Sequence, residues 1–228
     1  MKQVNHSKPM NIDIKISPNS KLLMIGDSVT DCERARPVGE GLFNALGNGY
    51  VRDINSILSA LLPEHRLRVV NLGSSGNTVR DLKDRWESDV IQLTPDWLSV
   101  MIGINDVWRQ FDMPLQAEAG VPLDEYSATL DLLLAKVRPK LAGLVLMSPF
   151  YIEDNSSDRM RARMDEYGYA VKALAQKHNA IFVDTQAAFN QALKHNHSAY
   201  LAWDRVHPSA VGHMILARAF LNGIGLEF

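Results

Sequence analysis

Two segments at opposite ends of the sequence carry the side chains that nucleophilic catalysis by serine requires. Ser28 comes directly after the apolar run 22–25 and a Gly-Asp pair, where a serine can present its hydroxyl above the end of a strand. Asp204 and His207 are three residues apart near the end of the chain. In a tight turn this spacing lets the carboxylate accept from the imidazole Nδ1–H, which leaves Nε2 free to take the Ser28 proton.

Attack on an ester also requires hydrogen-bond donors for the oxyanion that develops on the carbonyl oxygen. Gly73 follows a second apolar run, and its backbone N–H can point into a site because no side chain blocks it. Asn105 follows a third apolar run and offers a carboxamide N–H. We therefore expect Gly73 and Asn105 to be oxyanion donors.

These residues need a scaffold that brings the ends of several strands together. Apolar runs and helical patterns alternate five times without a change in composition, which predicts one α/β domain with three layers (α/β/α, flavodoxin-like) around a five-stranded parallel sheet. The predicted strands are 22–25, 68–72, 97–102, 144–147 and 180–183. The predicted helices are 50–62, 78–91, 123–137, 158–178, 185–195 and 209–221. The carboxyl ends of parallel strands share one edge, so the candidate residues are expected to meet there.

Three segments lack a clear periodicity or show only a weak one. Residues 30–49 and 107–121 are predicted to be long irregular loops, which are usually functional. Residues 1–20 alternate weakly and are expected to form an edge strand or a surface arm, with the main domain spanning 21–228.

Composition excludes several classes of protein. A formal net charge of −2 and a pI of about 6.4 give no electrostatic reason to expect nucleic acid or an anionic membrane as a partner. The single cysteine, Cys32, cannot form an intrachain disulfide, and the histidines show no metal-ligand spacing. No apolar run fits a signal peptide or a membrane span, so a cytoplasmic location is expected.

Taken in order, four blocks of the sequence resemble those of the SGNH (GDSL-type) hydrolases. They are Gly26-Asp27-Ser28, Asn71-x-Gly73-x-Ser75-Gly76, Gly103-x-Asn105-Asp106 and Asp204-x-x-His207-Pro208. The resemblance implies that Ser28 is the nucleophile, and that its N–H, the Gly73 N–H and the Asn105 side chain form the oxyanion hole. It also implies that His207 acts as base and then as acid, and that Asp204 orients His207.

The stretches 26–37, 101–109 and 202–208 are similar to those of bacterial intracellular acetylxylan esterases within the same class. That similarity implies removal of acetyl groups from short xylo-oligosaccharides or other small acetylated sugars, and assembly into a homo-oligomer. The expected mechanism uses no metal and no cofactor.

Some residues beside the blocks have two readings. Trp108, Arg109 and Trp203 could form a platform for sugar, or they could brace loops or a subunit contact. Asp27 and Asp106 are expected to bond nearby backbone rather than to carry protons.

Three other functions also fit the sequence: a lipolytic esterase or thioesterase on the same fold, an FMN-binding module, and a carbohydrate-binding protein without turnover. The turn after the first strand lacks a phosphate-binding Gly/Ser/Thr run, which disfavours FMN.

Overall fold

The computed structural model describes residues 14–227, which form a sheet of five parallel strands. The strands are β1 (Lys21–Gly26), β2 (Arg68–Gly73), β3 (Trp97–Met101), β4 (Gly143–Met147) and β5 (Ile181–Val183). Their order across the sheet is β2-β1-β3-β4-β5. The strand order therefore changes direction between β1 and β3. In sheets of this kind, ligands bind beyond the carboxyl ends of the strands on either side of this change.

Helices cover both faces of the sheet, so the fold has the three layers that the sequence predicts. In chain order they are α1 (Ser28–Asp31), α2 (Tyr50–Leu61), α3 (Val79–Asp84), α4 (Ile104–Asp112), α5 (Leu123–Val137), α6 (Arg159–Lys177), α7 (Thr185–Leu193), α8 (Ser198–Leu201) and α9 (Ala210–Gly223). Helices α2, α7 and α9 pack on one face, and α3, α4, α5 and α6 pack on the other.

Strand β1 is buried on both of its sides. Leu22 and Met24 pack into the core beside α2 and α9, whereas Leu23 and Ile25 pack into the core beside α3, α5 and α6. Successive side chains of a strand point to opposite faces, so a strand covered on both faces must be apolar throughout. This is the reason why the run that precedes Ser28 shows no alternation.

The register of the sheet aligns the strand ends that carry the candidate residues. Gly26 at the end of β1 lies beside Gly73 at the end of β2 and beside Met101 at the end of β3. The turns after these strands therefore lie at the same edge of the sheet. Ser28 follows β1 and Asn105 follows β3, so both residues lie at that edge.

Two predicted segments differ from the structure. The stretch 107–121, expected to be irregular, begins inside α4. The helix predicted over 78–91 ends at Asp84 in α3 and continues after a break as one wider turn over Glu87–Ile91. The expectation of a loop from residue 107 onward is wrong because it divides a helical pattern. Ile104, Val107, Trp108 and Phe111 have the i, i+3, i+4, i+7 spacing of an amphipathic helix.

The described part of the N-terminal segment, residues 14–20, contains no strand. Ile14 and Ile16 are buried in the core beside α9, and the Lys15 N–H donates to the carbonyl oxygen of Ile224 at 2.9 Å. The rest of the predicted arm, residues 1–13, lies outside the described residues. Within 14–227, no helix is both long and apolar enough to cross a membrane.

Candidate active site

Three side chains from distant parts of the chain form a continuous hydrogen-bonded line at the sheet edge. The Oγ atom of Ser28 lies 2.9 Å from Nε2 of His207, and Nδ1 of His207 lies 2.6 Å from Oδ2 of Asp204. An ionised carboxylate can only accept, so Nδ1 carries the proton and Nε2 is left to accept from the serine hydroxyl. This arrangement can activate the hydroxyl for attack on a carbonyl carbon.

The Asp204 carboxylate also organises its own loop. Its Oδ1 atom accepts from the backbone N–H groups of Val206 at 2.9 Å and His207 at 2.8 Å. Arg205, which lies between Asp204 and Val206, has a left-handed φ of 65° and pairs with Glu153 at 2.6 Å. Burial would raise the pKa of Asp204, but the hydrogen bonds from the His207 side chain and from the backbone outweigh burial and lower this pKa. The carboxylate therefore stays ionised and holds the imidazole in position.

Ser28 is the first residue of α1, which starts directly beyond β1. Gly26 makes this close turn possible, because a Cβ atom there would lie 2.4 Å from Thr30 Oγ1 in α1 and 2.3 Å from the Met101 carbonyl oxygen in β3. Asp27 caps α1 by accepting from the Val29 N–H at 3.0 Å. Burial raises the pKa of Asp27 to about 7. The Ser28 N–H is among the first N–H groups of the helix, which have no partner inside it.

Gly73 has a structural role that conflicts with its predicted role as an oxyanion donor. Its N–H donates to Asn71 Oδ1 at 2.8 Å, and the Asn71 amide in turn donates to the carbonyl oxygens of Thr30 and Leu46 at 2.7 and 2.9 Å. A Cβ atom on Gly73 would lie 2.1 Å from the backbone nitrogen of Asp31. Gly73 is therefore a glycine because β2 passes closely against α1. The prediction that its N–H binds the oxyanion is corrected, since that N–H is already used.

Gly76, from the same sequence block, lies where Gly73 was expected. It is exposed, has a φ of 81°, and lines the same cleft as Ser28. Within residues 14–227 its N–H makes no backbone hydrogen bond. The sequence held a signal for this choice, because Thr78 and Asp81 form the capping box of α3 and thus mark Gly76 as part of the turn that precedes the helix.

Arg85 ties together the turns that surround the cleft. Its guanidinium donates to the carbonyl oxygens of Gly26 at 2.9 Å and Leu72 at 2.7 Å, and to the Asn77 side chain at 2.7 Å. It also pairs with Asp89 at 2.8 Å. The ends of β1 and β2 and the turn after β2 are thereby fixed by one side chain. The sequence gave no signal for this role, because Arg85 lies inside the helix predicted over 78–91, where an arginine is ordinary.

The third turn is joined to the second by two neighbouring residues of α4. Asn105 Nδ2 donates to the Asn77 carbonyl oxygen at 3.0 Å, and Asp106 Oδ1 accepts from the Val79 N–H at 2.9 Å. The other carboxyl oxygen of Asp106 is buried without a hydrogen-bond partner among the described residues. Burial, to which the nearby charge of Asp27 adds, raises the pKa of Asp106 to about 7. As the sequence indicated, Asp106 bonds backbone.

The cleft above these residues has a volume of about 420 Å³. Two of the three predicted sugar-contact residues, Trp108 and Arg109, line it, and the Trp108 ring meets the His207 ring edge-on with centroids 5.8 Å apart. Trp203 is not among the lining residues and is 88% exposed. The structure thus places Trp108 and Arg109, but not Trp203, beside Ser28.

Cys32 and His213 form one wall of the cleft. Cys32 Sγ lies 3.3 Å from His213 Nε2, while His213 Nδ1 accepts from the Tyr50 N–H at 3.2 Å. Burial raises the pKa of the Cys32 thiol to about 12 and lowers the pKa of His213 to about 4. The pair is therefore uncharged at neutral pH, and the thiol is not an activated nucleophile. Sequence reasoning gave Cys32 no histidine partner, because the two residues are far apart in the chain.

Comparison with known proteins agrees with this geometry. The profile of the GDSL-like Lipase/Acylhydrolase family matches residues 24–215. An acetylxylan esterase of Geobacillus stearothermophilus is 61% identical over 215 residues, which make up 94% of this chain and 98% of that protein. The crystal structure of Axe2, an acetylxylan esterase from the same organism, has a TM-score of 0.93 at 61% identity and covers 94% of this chain and 98% of its own.

A more distant solved structure is LAE5, an alpha/beta hydrolase enzyme from the metagenome of Lake Arreo in Spain. It has a TM-score of 0.92 at 51% identity, with 94% of this chain and 99% of that chain covered. Axe2 has also been solved as catalytic mutants in which a serine, an aspartate or a histidine is replaced by alanine. The family profile spans most of the sequence, and the chain belongs to the GDSL-like lipase/acylhydrolase family.

Proposed function

We propose that this protein is a serine esterase that removes acetyl groups from acetylated xylo-oligosaccharides through an acetyl-Ser28 intermediate. The observation that carries the proposal is the line Ser28–His207–Asp204, with distances of 2.9 and 2.6 Å. The substrate class follows from the acetylxylan esterase that is 61% identical to this chain. The aspartate and histidine replaced in the catalytic mutants of Axe2 are three residues apart, as Asp204 and His207 are, which supports the assignment.

In the first half of the reaction, Ser28 Oγ bonds to the acetyl carbonyl carbon while its proton moves to His207 Nε2. The tetrahedral intermediate collapses when the bond to the sugar oxygen breaks and His207 returns the proton to that oxygen. In the second half, His207 takes a proton from a water molecule while the water oxygen bonds to the acetyl-Ser28 carbonyl carbon. The bond from that carbon to Ser28 Oγ then breaks, His207 returns the proton to Oγ, and acetate leaves. Asp204 stays ionised throughout and orients the imidazole.

The oxyanion hole that we propose consists of the Ser28 N–H, the Gly76 N–H and the Asn105 carboxamide. Gly76 takes the place that the sequence gave to Gly73, since the Gly73 N–H is bound to Asn71. A single donor of this kind is typically worth about 2.7–4 kcal/mol of the barrier. Trp108, beside His207 in the cleft, stays the predicted sugar-contact residue.

The proposal is tested by acetate release from acetylated xylo-oligosaccharides, with an octanoate ester assayed in parallel. We expect the wild type to favour the acetylated saccharide and Ser28→Ala to lower kcat by about 10³-fold or more. Ser74→Ala is the matched control, because Ser74 lies at the same sheet edge and its N–H donates to the Gly26 carbonyl oxygen. Near-normal turnover by Ser28→Ala would refute the mechanism. A preference for octanoate would instead favour a lipolytic esterase.

Two further expectations stay predictions. The similarity to bacterial acetylxylan esterases implies a homo-oligomer and a cytoplasmic location. Several large apolar side chains are exposed, among them Phe43 at 98% and Leu115 at 97%. Light scattering of the purified protein measures the number of subunits directly.

A further inference from the structure

We propose that Arg109 is a positioning residue for the oxyanion donor Asn105, and not a sugar-contact residue as its place in the cleft first indicates. The proposal rests on the esterase function proposed above. It starts from the Asn105 carboxamide, which makes two hydrogen bonds. Its Nδ2 donates to the Asn77 carbonyl oxygen at 3.0 Å, and its Oδ1 accepts from Arg109 Nη2 at 3.2 Å.

These two bonds fix the plane and the sense of the amide. A carboxamide has two N–H donors, so one remains after the bond to Asn77. Asn105 is buried and still lines the cleft, where that remaining N–H is available to a ligand. If the amide turned over, Oδ1 would replace the N–H and would repel an oxyanion. Arg109 opposes this rotation because a guanidinium can only donate and therefore requires Oδ1 on its own side.

Helix α4 supplies the geometry for this contact. Asn105 and Arg109 are four residues apart in it and so share one face. A hydrogen bond from a charged donor is stronger than a neutral one, and it polarises the amide so that its N–H becomes a better donor. The positive charge also lies close to the place where negative charge develops. Both effects act on the transition state more than on the bound substrate.

The guanidinium is itself held by two further contacts. It pairs with Asp112 and lies over the Trp108 ring, with the guanidinium carbon 4.6 Å from the ring centroid. Trp108 in turn meets the His207 ring. These contacts fix Arg109 on α4 before any substrate binds. A positioning residue requires such a fixed side chain, whereas a side chain that only contacts sugar does not.

The experiment compares Arg109→Ala with wild type on 4-nitrophenyl acetate, which has no sugar, and on an acetylated xylo-oligosaccharide. Loss of one charge-assisted bond predicts a fall in kcat of about tenfold or more on both substrates. We expect KM to change less than about twofold. In the Asn105→Ala background, removing Arg109 is expected to cause little further loss, because the group that it positions is absent.

A matched control is available in Arg163→Ala. Arg163 also pairs with an acidic residue three positions later, Glu166, and lies 5.3 Å from the Tyr167 ring centroid, but it does not touch Asn105. Its removal is expected to leave kcat unchanged. Arg109→Lys keeps the charge and is expected to restore part of the lost rate, and thermal melting verifies that each variant is folded.

Three results would overturn the proposal: a loss confined to the saccharide with a raised KM, losses of Arg109→Ala and Asn105→Ala that simply add, or no loss at all. The first would make Arg109 a sugar contact, and the second would make it act independently of Asn105. Full activity of Asn105→Ala alone would instead contradict the oxyanion hole of the proposed function. The two failures are therefore distinguishable.

Discussion

The two sides of the cleft are built in different ways. On the oxyanion side, side chains that are fully or largely buried tie the ends of three strands together, and Asn71 and Asp106 among them have no exposed surface. On the acid–base side, Asp204 and His207 lie on a loop with side chains 39% and 47% exposed. The Asp204 carboxylate accepts from Val206 and His207, which lie within three residues along the chain, and the contact with Ser28 is made by His207.

This difference follows from what each side must do. Oxyanion donors stabilise charge most when they are fixed in advance, since no free energy is then spent on orienting them. The imidazole must exchange protons first with a sugar alcohol and then with water, so it has to be accessible. We therefore expect substitutions on the acid–base side to affect catalysis alone, and those on the oxyanion side to affect both catalysis and stability.

The largest effect is expected for Asp204→Asn on the exposed side. An asparagine oxygen can still accept from the Val206 and His207 N–H groups, so the loop is retained while the charge that orients the imidazole is lost. The equivalent change in a well-studied serine protease lowers kcat about 10⁴-fold, and we expect a loss of about 10³–10⁴-fold here. Steady-state kinetics measures the loss, and thermal melting is expected to show a nearly unchanged midpoint.

Asp158→Asn is the matched control for this prediction. Asp158 caps α6 by accepting from the N–H groups of Met160 and Arg161, both at 3.0 Å, and it does not line the cleft. Its replacement is expected to leave kcat unchanged. A large fall in the melting temperature of Asp204→Asn would show that the exposed loop carries structure as well as catalysis, and the contrast between the two sides would then be wrong.

The second prediction contrasts two glycines of the oxyanion side. In Gly73→Ala the new Cβ atom would meet the Asp31 backbone nitrogen at 2.1 Å, so the strand and α1 must separate. We expect a loss of about 3 kcal/mol in the free energy of unfolding. In Gly76→Ala the Cβ atom meets nothing within 4 Å, and the cost of about 1–2 kcal/mol comes from the left-handed φ alone.

Urea unfolding and kcat, measured on both variants, separate the two roles. We expect the folded Gly76→Ala protein to lose activity, because relaxation of the strained φ turns its N–H away from the oxyanion. Equal stability losses in the two variants would contradict the structural role assigned to Gly73. The crystal structure of Gly76→Ala shows whether the N–H at residue 76 has moved. A normal kcat together with a displaced N–H would contradict the oxyanion role proposed for Gly76.

The architecture could be predicted from the sequence because parallel strands buried on both faces leave uninterrupted apolar runs, as at 22–25 and 144–147. The meeting of Ser28 with His207 was predicted from the resemblance of the four sequence blocks, because periodicity alone does not place the loop between α8 and α9 at the sheet edge. The choice between Gly73 and Gly76 was only partly predictable: the Thr78–Asp81 capping box places Gly76 in the turn before α3, but it does not exclude Gly73 at the end of β2 as a donor. Only the path of the Asn71 side chain decides which N–H is free.

Arginines were the residues that sequence reasoning assigned least well. Arg85 bonds to groups on three separate segments, and such long-range contacts leave no periodic pattern. For Arg109 the sequence offered only its position beside a catalytic block. Its contact with Asn105 depends on α4 starting at Ile104, three residues before the stretch 107–121 that was expected to be irregular.

The last prediction concerns the pH dependence of stability on the buried side. The carboxyl of Asp106 has an ordinary pKa of 3.8, and burial beside Asp27 raises this pKa to about 7 in the folded protein. Between these values the unfolded chain has lost the proton that the folded chain keeps. The free energy of unfolding therefore falls as pH rises from about 4 to 7, by up to about 1.4 kcal/mol per pH unit for one such group.

Asp106→Asn cannot ionise, and its oxygen can still accept from the Val79 N–H. We expect urea unfolding to show that the stability of the wild type relative to this variant declines from pH 4 to pH 7 and levels off above it. Asp184→Asn is the control, because Asp184 caps α7 by accepting from the Ala187 N–H at 2.9 Å but is exposed. A pH profile for Asp106→Asn parallel to that of the wild type would mean that Asp106 is ionised in the folded protein. The oxyanion side would then tolerate a buried charge, and burial could no longer explain how it differs from the loop of Asp204.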